Sequence, residues 1–184
     1  MGFCIFLKSF KIWLMNLNYD LHRVSEYAVN KFLKLEGMVQ GLIKGSVTLR
    51  GKEDLIGVIS VSHEISRAID PTTGNFTGKI THKPLVLVKL IDLSTPRLYQ
   101  ALVSAETIKT FHLAFYMTAA SGQEVQQFTI NLTNAQISSI NQVKQNSNST
   151  PDLMKFAEYE EVYFRYQTIQ WSWTNGPSAT HNWV

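Results

Sequence analysis

A length of 184 residues with 17 Lys and Arg against 14 Asp and Glu, net charge +3, is the size of one domain able to bury about 70% of its unfolded surface in a single core. No run of Lys or Arg interleaves with aromatics, which excludes the electrostatic footprint of a nucleic-acid binder. The single Cys4 excludes an internal disulfide and offers no second thiol for a metal site, so stability must come from packing, and with 17% charged residues much of the surface falls to neutral polar side chains.

The first 30 residues differ from the rest. MGFCIFLKSFKIWLM is apolar but interrupted by Lys8 and Lys11. It lacks a leading charge and a small-residue cleavage site, so it does not read as a secretory signal, and it is too short to span a bilayer. Phe6 stands where myristoylation needs Ser or Thr. The segment reads as an N-terminal extension: an upstream translation start with Met15 in frame, a segment docking on the body or a partner, or, least favoured, an interfacial helix. No stable membrane insertion is expected.

From Lys31 onward the chain reads as strands separated by turn chemistry. FLKLE (32–36) alternates and ends at Gly37, and a looser segment with three glycines runs to Asp54. IGVISVSHEISR (56–67) alternates throughout, predicting one half-buried strand with Ile59, Val61, His63 and Ile65 on one face. Asp70-Pro71-Thr72-Thr73-Gly74 is a hairpin tip, with Gly74 and Gly78 free to take positive φ. LVLVKLI (85–91) is apolar on nearly every residue, as in a strand covered on both faces.

Ser94 or Thr95 can cap a helix that Pro96 opens without losing a hydrogen bond. Leu98, Ala101, Leu102 and Ala105 form its sheet-facing stripe, and each buried leucine contributes roughly 1.5–3 kcal/mol. IKTFHLAFYM (108–117) predicts a strand that turns at Ala120-Ser121-Gly122. Residues 124–140 place Phe128, Ile130 and Leu132 on one face, then shift face near Asn134, which predicts a bulge or bend. NQVKQNSNSTPD (141–152) is a polar loop, and YEEVYFRYQTIQWSW (159–173) is one long aromatic strand.

FLKLEG, RGKEDLIGVISVSHEISR, DPTTGNFTGKITHKPLVLVKLIDLSTPRLYQAL and EEVYFRYQTIQW together resemble, in order and spacing, the Hcp family, the inner-tube proteins of type VI secretion. The spacing DP-x-TG-x-x-TG ahead of HKP and D-x-S-T-P-x-L is the most specific part. The resemblance implies an all-β fold, an antiparallel β-barrel over residues 31–184 with a single flanking helix, behind an extension over residues 1–30. It implies homo-hexameric rings stacked into a tube that a contractile sheath expels behind a tip spike, with small effector proteins in the lumen and no chemistry of its own. It further implies a cytoplasmic protein exported without a cleaved signal peptide, and ring or stacking contacts at Arg50, Lys52, Glu53, Asp54, Lys83 and Trp171. The chain departs from the family in its extension, in a compact connection with Lys52 where relatives often carry His, and after Trp173.

His63, His82 and His112 could supply a three-imidazole metal site, but they sit on separate segments, and structural roles are expected instead. No catalytic residue, metal or cofactor is expected: Ser62 beside His63 lacks a nucleophile-elbow motif, and the loop glycines Gly41, Gly45 and Gly51 precede no phosphate-binding Lys. Trp171 and Trp173 share a strand face and read as core or interface. The alternative function is a monomeric barrel holding a small apolar ligand.

Overall fold

The structure, a computed structural model, describes residues 30–119, 122–144 and 158–183. The extension up to Val29 and most of the polar loop lie outside them. Strand β8 (Thr107–Thr118) organises the body. Its period-2 pattern turns Phe111 and Leu113 into the core. One edge pairs with β1 (Lys31–Gly37) and the other with β9 (Glu124–Thr133), both antiparallel.

The far edge of β1 takes β2 (Gly41–Ile43) and β3 (Ile56–Gly57). The chain then leaves β1 for β7 (Leu85–Leu90), along which β4 (Ser60–Ser62) pairs. Next come β11 (Glu158–Arg165) and β10 (Ala135–Lys144), whose first two residues return to the start of β8. The pairings therefore curl the sheet back on itself as a barrel. Strands β12 (Thr168–Trp173) and β13 (Ser178–Asn182) extend it from β9.

Two predicted strands are broken. Residues 56–67 alternate without interruption in sequence, yet they divide into β3, β4 and β5 (Ile65–Ile69), each with a different partner, and Val58 rather than Ile59 is buried. Residues 159–173 divide at Tyr166-Gln167, where the Gln167 amide donates to the Thr133 carbonyl at 3.0 Å. The expected bend at Asn134 is present, with φ 49° separating β9 from β10. Strand β10 runs to Lys144, into the stretch expected to be loop. Strand β7 buries only the Leu85, Leu87 and Lys89 face, while Val86 and Val88 are half-buried and Leu90 is exposed.

The core joins both walls: Leu33, Leu35, Val58, Leu87, Leu132, Val162 and Ile169 meet there, and the Phe111 and Phe164 rings lie edge to face at 5.0 Å. Helix α1 (Thr95–Val103) flanks β10 and buries Leu98 and Ala101. Ala105 falls outside the predicted stripe, since it is exposed, past the helix end, at φ 50°.

The predicted cap chemistry also differs, because the hydroxyls have stronger partners. The Ser94 hydroxyl donates to the Asp92 carboxylate at 2.5 Å, while Thr95 Oγ1 accepts from the Asp92 amide at 3.1 Å and donates to Glu160 Oε1 at 2.9 Å. Into this knot Lys89, 2% exposed, brings its ammonium, 2.7 Å from the wholly buried Glu160 and 2.8 Å from Asp92. A charge removed from water needs such company. Burial pushes the Asp92 carboxyl up, but hydrogen bonds from Lys89 and Ser94 hold it below its usual range.

Candidate functional site

Two features stand outside the barrel wall. The first is the hairpin of β5 and β6 (Phe76–His82), a separate two-stranded sheet. Its tip forms as expected: the Asp70 carboxylate accepts from the Thr72 and Thr73 amides at 2.7 and 3.3 Å, and the Gly74 amide, at φ 70°, donates to the Asp70 carbonyl. Those amide bonds hold the Asp70 carboxyl low. Gly78 does not use positive φ as expected; it lies within β6, where an added Cβ would sit 2.6 Å from that of Ala68. The arm carries its apolar side chains into water, with Ile69 56% and Phe76 67% exposed, and the Arg67 guanidinium lies 5.4 Å from the Phe76 ring centre.

An isolated hairpin is marginal in water, so the arm depends on its feet. The Lys83 amide donates to the Glu64 carbonyl at 3.0 Å, and the exposed Lys83 ammonium pairs with the Glu64 carboxylate at 2.7 Å. Beside them the hydroxyl of buried Tyr166 meets His63 Nε2 at 2.5 Å and His82 Nδ1 at 2.8 Å, while His82 Nε2 meets His181 Nδ1 at 2.8 Å. Trp171 is half-buried with its ring 6.0 Å from that of His63, and Trp183 stacks on His82 at 5.7 Å.

Burial pushes His63 and His82 below their ordinary value and the Tyr166 phenol up to about 12. The structure thus joins His63 to His82, which were expected to serve separately, and leaves His112 apart, on Asn131 at 2.7 Å. Among the described residues no cluster of metal-ligating side chains forms. His63 and His82 lie at nearly equal distances from the Asp70–Gly74 turn, a signal that they form the two feet of one hairpin. Nothing in the sequence announced Tyr166, His181 or Trp183 as their companions.

The second feature is the loop between β2 and β3. Gly45 and Val47 amides donate to the Asp54 and Leu55 carbonyls, and Lys44 pairs with Asp54 at 2.8 Å, leaving Arg50, Glu53 and Asp54 exposed near its tip. Lys52 is the exception among the expected contact residues. Only 8% exposed, its ammonium lies 3.9 Å from the Tyr116 ring centre and 4.3 Å from that of Phe32, and it pairs with the Glu124 carboxylate. It is therefore a bolt fastening the loop to the barrel and not a free surface cation. The expected contact residues fall into two groups, Arg50 to Asp54 on this loop and Lys83 with Trp171 at the arm's feet.

A family model described as "Type VI secretion system effector, Hcp" matches residues 32–173. The chain belongs to the Hcp family. It is 31% identical over 166 residues to the "Major exported protein" of Pseudomonas aeruginosa, covering 85% of this chain and 96% of that one. Two solved Hcp structures share the architecture: one titled "Crystal structure of Hcp protein", with TM-score 0.76, 30% identity and coverage of 84% and 97%, and a mutant Hcp1 from E. coli, with TM-score 0.74, 29% identity and coverage of 84% and 99%. The Hcp match spans the loop, the arm and Tyr166 but ends at Trp173, so His181 and Trp183 lie beyond it.

Proposed function

We propose that this Hcp-family chain is a structural subunit of a type VI secretion tube, assembling as hexameric rings that stack, are expelled by a contractile sheath behind a tip spike, and carry small effector proteins in the lumen. It acts in the bacterial cytoplasm and is then exported, with no chemistry of its own. Family membership supports the system, and the arm carries the structural case: beyond its feet the hairpin leaves Ile69 and Phe76 in water, and apolar surface of this kind suits a second copy. Arg50, Glu53 and Asp54 would make contacts from the loop tip, with Lys52 fixing the loop, and Lys83 and Trp171 would border the arm's contact. Residues 31–184 form the tube body, with 1–30 as an extension dispensable for ring formation.

The interior is occupied by side chains such as Leu35, Ile56 and Leu113, all essentially unexposed, which favours assembly over the monomeric ligand-binding alternative. Native mass spectrometry and electron microscopy of the purified chain test the proposal. Rings of the wild type and of the chain lacking residues 1–30, lost in an Ile69→Ser/Phe76→Ser variant that melts normally, are expected. A strict monomer at high concentration would refute the tube.

A further inference from the structure

We propose that His63, Tyr166, His82 and His181 form an acid-sensitive latch that ties the feet of the β5–β6 arm and the last strand to the barrel wall at neutral pH and releases the arm on protonation. The set is linear. His181 Nδ1 meets His82 Nε2 at 2.8 Å, His82 Nδ1 meets Tyr166 Oη at 2.8 Å, and Tyr166 Oη meets His63 Nε2 at 2.5 Å. Each link requires one proton between two heavy atoms. Three neutral imidazoles and one phenol satisfy all three, with His181 donating to His82, His82 to Tyr166 and Tyr166 to His63, or with every donor reversed.

Added protons undo this economy in sequence. One extra proton on His82 still fits, because both its nitrogens then donate outward while the phenol donates to His63. A second, on His63, aims two N–H donors at the one phenol oxygen, leaves the phenol's own hydrogen without an acceptor in the chain of rings, and sets two cations on rings 6.4 Å apart. The charged groups facing the set give little relief. Glu64 is paired with Lys83 at the exposed feet, and Arg165, 5.5 Å from the Trp183 ring centre, adds charge of the same sign. The Trp171 and Trp183 rings, which also flank the set, carry no charge.

The arm is the element that yields, because little holds it beyond its feet: every β5 residue is exposed. His63 and His82 titrate below 6.5 when latched and near it when released. The released state therefore binds more protons, and the latch holds above about pH 6.5 and weakens as pH falls below it. At about pH 5 the opening equilibrium rises by up to about 30-fold for each histidine that must stay neutral while latched.

The latch is a property of the single chain; only its consequence for rings rests on the function proposed above. Hydrogen exchange of the full chain, corrected for intrinsic rates, should be measured at about pH 7.5 and about pH 5, comparing amides of the arm with those of β8. Arm protection is expected to fall at least about tenfold relative to β8 in acid. Tyr166→Phe, which keeps the packed ring, should loosen the arm already at neutral pH, and His63→Gln/His82→Gln should flatten the pH response. Parallel changes in arm and β8, or a wild-type response in Tyr166→Phe, would overturn the latch. Rings that persist in acid with a loosened arm would uphold it and count instead against the arm's part in ring contacts.

Discussion

Replacing Lys89 with Met strands a charge in the barrel wall. The lysine ammonium touches Glu160 Oε1 at 2.7 Å, Asp92 Oδ1 at 2.8 Å, the Leu90 carbonyl at 2.8 Å and Thr95 Oγ1 at 3.3 Å. Methionine fills much the same space but neutralises nothing. Asp92 would keep its Ser94 amide and hydroxyl partners. Glu160, with no exposed surface and Oε2 already without a partner among the described residues, would retain only the Thr95 hydroxyl among them. An uncompensated buried charge of this kind costs about 3–5 kcal/mol, which for a domain of this size lowers Tm by about 6–20 °C. The double variant Lys89→Met/Glu160→Leu removes both charges and should recover most of that loss, because apolar replacement of a whole buried pair is often neutral or stabilising. Urea and thermal unfolding followed by circular dichroism read both. A single variant that loses less than about 1 kcal/mol, or a double variant no better than the single, would show that the Lys89–Glu160 contact does not carry this energy.

Leu98→Asp puts a carboxylate at the 1%-exposed centre of the α1 stripe and should cost several kcal/mol; unchanged thermal unfolding would mean that the stripe does not pack on β10. Glu106→Ala frees the Val39 and Gln40 amides and the Gln40 side chain, which its carboxylate holds at 2.7, 2.8 and 2.8 Å, and should lose about 2–3 kcal/mol by denaturant titration. Burial raises the Glu106 carboxyl, but the Gln40 and Val39 hydrogen bonds outweigh it and hold the group below 4.5. Its contribution is therefore complete above that value and lost as pH falls below it, so the gap between wild type and Glu106→Ala should narrow in acid. Gly37→Ala would set a Cβ 2.2 Å from Glu106 Oε1 and displace the same clamp; its cost should overlap that of Glu106→Ala in the double variant, and strict additivity would disprove the shared mechanism.

Strands β1 and β8, the turn at Asp70 and the helix after Pro96 were legible because each is written locally, in period-2 alternation or in residues suited to one backbone geometry. The breaks inside 56–67 and 159–173 were not. Alternation records which face a side chain takes, not which neighbour the backbone pairs with, so a strand can change partners at Ile59 or Tyr166 with its pattern undisturbed. The role of Lys89 within the apolar run 85–91 was not legible because its partner Glu160 lies far along the chain, and only the β7–β11 register places Glu160 directly opposite it. Lys52 was expected as a ring or stacking contact, and its anchoring role was hidden for a related reason: Phe32, Tyr116 and Glu124, which enclose it, belong to three different strands.

The stabilising core and the proposed contact surface occupy different parts of the molecule. Side chains of the barrel interior exclude water almost completely, whereas β5 buries nothing and the outer edges of β4 and β13 are short and polar. Short polar edges resist indiscriminate strand pairing, so in the proposed tube association would fall to the arm and the charged loop, where geometry can close a ring instead of propagating a fibre. Because the arm contributes little to the core, its contacts can be made or released without unfolding the barrel. Substitutions should therefore separate cleanly: Ile69 and Phe76 should govern assembly at constant Tm, and Leu98 and Lys89 should govern Tm. A variant of the arm tip that lowered Tm as much as Leu98→Asp would mean that the hairpin belongs to the folding core, and the division of labour on which the tube proposal rests would fail.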